Sequence, residues 1–134
     1  MEKQITIMGK PITKKRPRFF RRGDFVGTYN EQETEEGRWM LEVKQYIDAQ
    51  IPAGTPIALR CYFYFEIPKS MSKKRRAAAM HTSRPDLDNL VKFVKDCLNG
   101  LAWHDDSQVV SLIAKKFYDH EDRGARSVII IATG

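Results

Sequence analysis

One amphipathic segment, residues 84–101, constrains the fold more than any other part of the chain. At 100° per residue, its apolar side chains share one side of a helix, and its charged and amide side chains share the other. Pro85 is tolerated only in a first helical turn, so the helix is predicted to begin there, with Ser83 able to serve as its cap. The apolar side comprises Leu87, Leu90, Val91, Phe93, Val94, Cys97, Leu98 and Leu101, and the polar side comprises Asp88, Lys92, Lys95, Asp96 and Asn99.

Other segments have the composition of β-strands, since they are rich in β-branched and aromatic residues or alternate in polarity. A second helix is predicted over residues 31–50, where apolar residues recur at helical spacing and acids crowd the first turn. The chain of 134 residues suits one domain with one core, so we predict a single domain over residues 1–134. The predicted strands are residues 3–8, 57–67, 108–118 and 126–133.

The sequence lacks the segments that mark membrane-spanning and secreted proteins. The longest stretch without Lys, Arg, Asp or Glu is residues 49–59, well short of the ~18–20 apolar residues needed to cross a bilayer. The first ten residues lack the apolar block of a secretory signal, and two cysteines, Cys61 and Cys97, are too few for a disulfide framework. We therefore expect a cytoplasmic protein with reduced thiols and no membrane partner.

Positive charge is concentrated in two blocks that contain no acid. Residues 10–22, predicted to form a loop, hold seven cations, and residues 69–76 hold five. Without these twelve, the 23 Lys and Arg fall to eleven against 17 Asp and Glu, so the rest of the chain carries −6. Two such blocks together favour a surface that binds nucleic acid, although a solvated basic loop is the alternative for either one alone. The residues predicted to bind DNA are Lys14, Lys15, Arg16, Arg18, Phe19, Phe20, Arg21, Arg22, Lys69, Lys73, Lys74, Arg75 and Arg76.

Asp86 and Asp88 lie at the predicted helix start, where a single acid is commonly a cap or a partner of the helix dipole. Two acids at spacing i, i+2 are less well explained, because a cap needs one oxygen and the second acid adds repulsion. Where the chain is still extended, the two side chains point the same way and can converge on one hard cation such as Mg²⁺. The pair therefore favours a metal site, with capping as the alternative.

A third acid, Asp106, lies in the turn between this helix and the next strand, where Asp also commonly stabilises turns. If the turn folds back towards the helix start, Asp106 completes a cluster of three acids. Oxygen ligands select Mg²⁺, with Mn²⁺ as a substitute, and such an ion serves phosphodiester hydrolysis. Lys92, four residues after Asp88, either forms an ion pair with it or reaches the phosphate in the transition state.

Other known functional motifs do not match the spacing of residues in this sequence. An EF-hand counted from Asp86 needs an oxygen ligand and a glycine where the chain has Leu90 and Val91. A phosphatase of the covalent-aspartate type places its acid pair directly after an apolar strand, whereas HTSRP precedes this pair. The sequence also contains no Walker loop, no GxSxG and no Cys–His spacing typical of zinc.

Residues 84–110, RPDLDNLVKFVKDCLNGLAWHDDSQVV, resemble the signature of the RusA-type Holliday junction resolvases. The shared pattern is Asp-x-Asp-Asn-Leu, a Lys four residues after the second Asp, an Asp on the same helix, and a later Asp-Asp-x-Gln-Val. The N-terminal GKPITKKRPRF is similar to family members with Gly-x-Pro followed by Lys/Arg-Pro-Arg, so the resemblance extends along the whole chain. Residues 10–22 are more basic and longer than in the family, so the cleavage-sequence preference of the family is not carried over.

The resemblance implies a site, a fold and an assembly. Together with the predicted elements it implies an α+β fold, in which a small mixed β-sheet of about four to five strands packs with two main helices. It also implies a homodimer and dependence on Mg²⁺. The metal-binding catalytic acids of the family fall on Asp86, Asp88 and Asp106, its catalytic lysine falls on Lys92, and a supporting role is assigned to Asn89, Asp105 and Gln108.

We therefore predict an Mg²⁺-dependent endodeoxyribonuclease that resolves four-way (Holliday) DNA junctions by paired symmetric nicks, in DNA recombination and repair. A two-fold dimer with one metal site per subunit supplies the geometry that two symmetric nicks require. The alternatives are a nuclease for other branched DNA and a non-enzymatic nucleic-acid-binding module in which the acids only cap and pair.

Overall fold

A four-stranded β-sheet forms the centre of the protein in a computed structural model, which describes residues 1–15, 18–23, 25–29 and 33–134. A separate two-stranded hairpin precedes the first helix. The strands are β1 (Glu2–Met8), β2 (Arg18–Arg22), β3 (Phe25–Tyr29), β4 (Ile57–Phe65), β5 (Val109–Tyr118) and β6 (Arg126–Ala132). The helices are α1 (Glu33–Lys44), α2 (Lys73–Ala78) and α3 (Leu87–Leu98), and a 3₁₀ turn covers Asp106–Gln108.

The central sheet is mixed. Its strands lie in the order β1-β6-β4-β5, and β4 pairs in parallel with β5 and antiparallel with β6. A parallel pair needs a long crossover, and here the crossover carries α2 and α3. The predicted α+β architecture, a small mixed sheet with two main helices, is confirmed. The order also leaves β5 at one edge of the sheet.

The core joins α1 and α3 to the sheet. Leu90, Phe93 and Leu98 of α3 are almost completely buried, as the amphipathic pattern predicts. The ring of Phe93 meets Trp39 of α1 edge to face, with 5.7 Å between ring centroids. Because the apolar side of α3 is fixed in this way, its polar side and its N-terminus are held in a defined position at the surface.

Three elements, β2, β3 and α2, were not predicted from the sequence. Residues 18–22, predicted as part of a loop, form β2, which pairs antiparallel with β3. α2 was not predicted, because six residues with four cations have no apolar side; Ser72 caps it by accepting a hydrogen bond from the Arg75 backbone at 3.3 Å.

The helix ends also differ. α1 ends at Lys44 rather than near residue 50, and α3 begins at Leu87 with Asp86, not Ser83, as the residue that precedes the first turn. Ser83 and Pro85 instead direct their backbone carbonyls towards β5. The acid pair therefore lies closer to the helix start than the sequence alone indicated.

Both cysteines are buried and free. Burial raises the pKa of the Cys61 and Cys97 thiols to about 12, so neither forms a reactive thiolate near neutral pH. Among the described residues, no helix is both long enough and apolar enough to span a bilayer.

Candidate active site

The start of α3 presents two acids without partners. Asp86 has extended backbone angles and precedes the first helical turn, yet its carboxylate forms no capping hydrogen bond. Asp88 follows in that turn, and both side chains are exposed. Within the described ranges, neither carboxylate forms a hydrogen bond or an ion pair. Capping therefore does not explain this pair, whose negative charge is favoured by the helix dipole.

Lys92 lies one turn further along the exposed side of α3. The i, i+4 ion pair with Asp88 that the sequence allowed is not formed: in the described part of the chain, Lys92 has no acid within 4.0 Å. Its ammonium group is therefore available to an anion that approaches the acid pair.

Asp106 is held by a different and more rigid arrangement. Its Oδ1 accepts a hydrogen bond from the indole Nε1 of Trp103 at 2.8 Å, and Trp103 is fully buried. Because the indole cannot move, the half-buried carboxylate keeps one orientation, and its second oxygen makes no hydrogen bond to any described residue.

The neighbours of Asp106 fix the turn that carries it. The Asp105 side chain accepts a hydrogen bond from the Ser107 backbone at 2.9 Å. Hydrogen bonding from the Ser107 side chain, and then from this backbone group, lowers the pKa of Asp105. The Gln108 side chain accepts a hydrogen bond from the Asp105 backbone and donates to the carbonyls of Pro52 and Thr55. This reciprocal capping box holds the turn against the start of β4.

Asp106 does not join Asp86 and Asp88 within one chain. Asp86 and Asn99 flank α3 thirteen residues apart, which is about 20 Å along a helix axis. The backbone of Trp103 bridges to Asn99, so the turn with Asp106 is attached to the far end of the helix. Among residues with described positions, no three His, Cys, Asp or Glu side chains are grouped closely enough to hold a metal ion. The structure thus brings two of the three predicted acids together and leaves the third apart.

Lys116 of β5 holds the loop that leads to the acid pair. Its ammonium group donates to the carbonyl of Ser83 at 2.8 Å and to that of Pro85 at 2.9 Å. These contacts join residues more than thirty positions apart, so no local pattern in the sequence could have indicated them. Lys116 was therefore missed by the sequence analysis.

Lys116 also lies close enough to His81, a histidine beside this loop, to influence its pKa. The ring of His81 lies between the rings of Phe65 and Tyr118, at 4.3 and 4.9 Å between centroids. Burial and the nearby charge of Lys116 lower the pKa of His81, so its imidazole is neutral near pH 7. This cluster closes one side of a cleft of about 600 Å³ that also includes Arg84 and Pro85.

The cleft continues towards Asp86 and adds two cations that were not among the predicted DNA-binding residues. Lys10, Arg84 and Pro85 also line a smaller adjoining cleft of about 380 Å³ with Asp86 and Asn89. Lys10 and Arg84 are exposed, and their position beside an acid gives the mouth of the cleft mixed charge. Asn89, predicted as a supporting residue, accepts a backbone hydrogen bond from Lys14 at 3.1 Å.

Two residues predicted to bind DNA instead form contacts with other residues of the same chain. Lys14 donates to Glu36 at 2.9 Å and lies 3.1 Å from Asp96; its hydrogen bond to Glu36 is the main reason that the pKa of Lys14 is raised. Arg76 donates to the carbonyls of Met71 and Pro68. Lys14 thus fastens the first basic segment to α1 and α3, whereas the contacts of Arg76 stay within its own stretch of chain.

Some of the other predicted DNA-binding residues are exposed, and the rest lie, wholly or by their side chains, outside the described part of the structure. Lys15 lies 4.0 Å from Glu35 at a half-exposed position. Arg16 lies outside the described residues, as do the side chains of Arg18, Phe19, Phe20 and Arg22. The exposed cations are Arg21, Lys69, Lys73, Lys74 and Arg75.

Comparison with known proteins assigns the chain to a family. The family described as Endodeoxyribonuclease RusA matches residues 8–130, which include the acid pair, Lys92, Asp106 and both basic blocks. The chain belongs to the RusA endodeoxyribonuclease family. The resemblance seen in residues 84–110 is thereby confirmed.

Two relatives show how far the similarity extends along the chain. The chain is 34% identical over 131 residues to the "Uncharacterized protein YqaN" of Bacillus subtilis (strain 168), covering 90% of each chain. It is 42% identical over 71 residues to the crossover junction endodeoxyribonuclease rusA of Lactococcus phage r1t, covering 52% of this chain and 51% of the phage protein.

Proposed function

We propose that the protein is a metal-dependent endonuclease that resolves four-way DNA junctions by paired symmetric nicks, in recombination and repair. One observation carries the proposal: Asp86, Asp88 and Lys92 stand exposed and unpaired, within the described chain, at one helix start of a RusA-family protein. The name of the phage r1t relative, a crossover junction endodeoxyribonuclease, supports four-way junctions as the substrate.

The donor set fits a hard divalent cation. Asp86, Asp88 and Asp106 offer only carboxylate oxygens, which suit Mg²⁺ and, as a substitute, Mn²⁺. When bound, such an ion polarises the scissile phosphate and neutralises charge on the leaving oxygen. Lys92 supplies a further positive charge on the same side of α3, where it stabilises the additional charge of the phosphate in the transition state.

A second copy of the chain can bring Asp106 to the acid pair. β5 is an edge strand of ten residues, and Val110, Leu112 and Ile113 on it are 71%, 47% and 46% exposed. A long, apolar edge strand has unpaired backbone groups that can form hydrogen bonds with a strand of another molecule. We therefore place the homodimer interface along β5, with two copies antiparallel about a two-fold axis between Leu112 and Ile113.

This register has a consequence for the site. It sets Val109 of one copy opposite Lys116 of the other, and Lys116 holds the loop that leads to Asp86. The turn with Asp106, three residues before Val109, then approaches the acid pair of the partner subunit. Each metal site would therefore be composite, and the two-fold axis would relate two sites that make two symmetric nicks.

Cleavage of synthetic DNA tests the function. The protein is incubated with a four-way junction and with a linear duplex of matched sequence, first with Mg²⁺ and then with EDTA. We expect paired nicks in the junction, little cutting of the duplex and none in EDTA. Equal cutting of both substrates, or no cutting, contradicts the proposal. Preferential cutting of flaps would identify a nuclease for other branched DNA, and binding without cutting would identify a binding module.

Replacing Lys116 by Met is expected to reduce kcat/KM for junction cleavage by about 10- to 100-fold, the usual effect of losing a group that orients a metal ligand. The Ser83 and Pro85 carbonyls lose their donor, so the loop no longer holds Asp86 in place. The Mg²⁺ concentration that gives half-maximal cleavage should rise, and Lys116→Arg should restore part of the loss. Lys44→Met, the same change at an exposed lysine at the end of α1, is the control and should cleave normally. An unchanged Mg²⁺ requirement in Lys116→Met would show that this loop does not position the acids.

A further inference from the structure

Met80 is the most exposed large apolar side chain among the described residues, with 79% of its surface open to solvent. It lies in the non-helical stretch between α2 and the loop that leads to Asp86, directly after Ala79, whose backbone is extended. An isolated apolar residue on a surface needs no explanation by itself. Here, however, its neighbours in the chain fix where the side chain points.

The residues on both sides of Met80 are anchored to the body of the protein. The carbonyl oxygen of Ala79 lies at hydrogen-bond distance, 3.1 Å, from Nε2 of His120. The ring of His81 is held between Phe65 and Tyr118. Side chains alternate along an extended chain, so the residue between two anchored neighbours points away from the body. The exposure of Met80 is therefore imposed by the fold.

Exposed cations precede and follow Met80 along the chain. Lys73, Lys74 and Arg75 precede it as exposed residues of α2, and Arg84 follows it at the mouth of the cleft. Asp86 lies six positions after Met80, a reach of at most ~20 Å for an extended chain. One DNA strand advances about 3.4 Å per nucleotide, so Met80 lies within about six nucleotides of a phosphate at Asp86.

The exposed cations and the outward-pointing side chain of Met80 together suit a DNA strand as the ligand. Cations on both sides suit the phosphates of a DNA strand, and an apolar side chain held outwards suits the faces of its bases. Met is among the side chains that DNA-bending proteins insert between base steps to unstack them, and its thioether packs well against aromatic rings. Bases at the branch point of a junction are the least costly to unstack, because their stacking is already interrupted.

We propose that Met80 inserts between bases of a branched DNA strand and holds them unstacked close to the scissile phosphate. This proposal rests on the proposed function, because it takes branched DNA as the ligand. It adds a residue that opens the substrate without contacting the reacting atoms, so Met80 is a positioning residue. A dimer contact at the same side chain is the competing assignment, and the experiment below separates the two.

The test uses four-way junctions with 2-aminopurine, whose fluorescence rises when it unstacks, at each position around the branch point. Each protein is added at saturation in EDTA, so that the DNA is not cut, and binding is followed separately by anisotropy. We expect the wild-type protein to raise the fluorescence at one or two positions. Met80→Ala and Met80→Gln should lose most of that rise while their junction affinity falls less than tenfold, and Met80→Leu, which remains apolar, should keep it.

Leu41→Ala provides the matched control, because Leu41 is 64% exposed on α1 and is remote in sequence from the acid pair. It should leave the fluorescence unchanged. A rise as large in Met80→Ala and Met80→Gln as in the wild type overturns the insertion, and so does a wild-type protein that cuts junctions without any rise. Loss of dimer on gel filtration in Met80→Ala would assign the side chain to an interface instead. If the wild-type protein binds no branched DNA, the proposed function fails together with the insertion.

Discussion

Asp86→Asn is expected to reduce junction cleavage by about three orders of magnitude while the folded protein still binds the junction. A divalent cation supplies several kcal/mol of transition-state stabilisation, and each 1.36 kcal/mol is a factor of ten in rate. The amide removes one of the two charges that would hold the ion at the start of α3. Asp86 has no partner among the described residues, so the substitution breaks no contact of the fold. The measurement is single-turnover cleavage of a four-way junction at saturating Mg²⁺.

Junction binding should stay the same or become tighter in this variant. A carboxylate facing a phosphate repels it, and neutralising the carboxylate removes that repulsion. Glu42→Gln, which removes one exposed charge from α1, is the matched control and should cleave at the wild-type rate. Cleavage by Asp86→Asn at the wild-type rate would contradict the assignment of the acids. A loss of binding equal to the loss of cleavage would show instead that Asp86 serves the fold or the DNA interface.

The sequence predicts α3 and its acid pair well because both depend on local spacing. The apolar positions of residues 84–101 determine which side of the helix is buried, and Pro85 limits where it can begin. Whether Asp86 is only a cap cannot be read from the sequence, because Asp at that position is equally typical of both roles. The absence of a capping hydrogen bond to its side chain removes only the capping explanation.

The parts that the sequence missed depend on contacts between distant residues. Lys116 contacts the 83–85 loop only because β5 runs beside the start of α3, and a lysine in a strand has no local feature that indicates such a role. The position of Asp106 depends in the same way on the direction of α3 relative to the strand that follows. Lys14 was grouped with the DNA-binding cations because charge patterning counts residues without regard to their partners, here Glu36 and Asp96.

Mixing two inactive variants tests whether the metal site is shared between subunits. Asp86→Asn and Asp106→Asn homodimers are each expected to lack cleavage, since every site lacks one acid. In a mixed dimer with composite sites, one site carries both substitutions and the other carries none. A 1:1 mixture with free exchange contains half mixed dimers, each with one intact site, so we expect about one quarter of the wild-type nicking. The products should be single nicks rather than paired ones.

The activity of the mixed dimers depends on whether the three acids of one site come from a single chain or from both chains. If all three acids of a site came from one chain, each site of the mixed dimer would carry one substitution, and mixing would restore nothing. Asp86→Asn mixed with Asp88→Asn is the control, because these residues lie on the same helix start and no intact site can form. The two variants carry different affinity tags, so that purification through both tags isolates mixed dimers and verifies that exchange has occurred. Mixed dimers of Asp86→Asn and Asp106→Asn that are as inactive as this control would refute the shared site, and Asp106 would then have to act at the far end of α3, away from the acid pair.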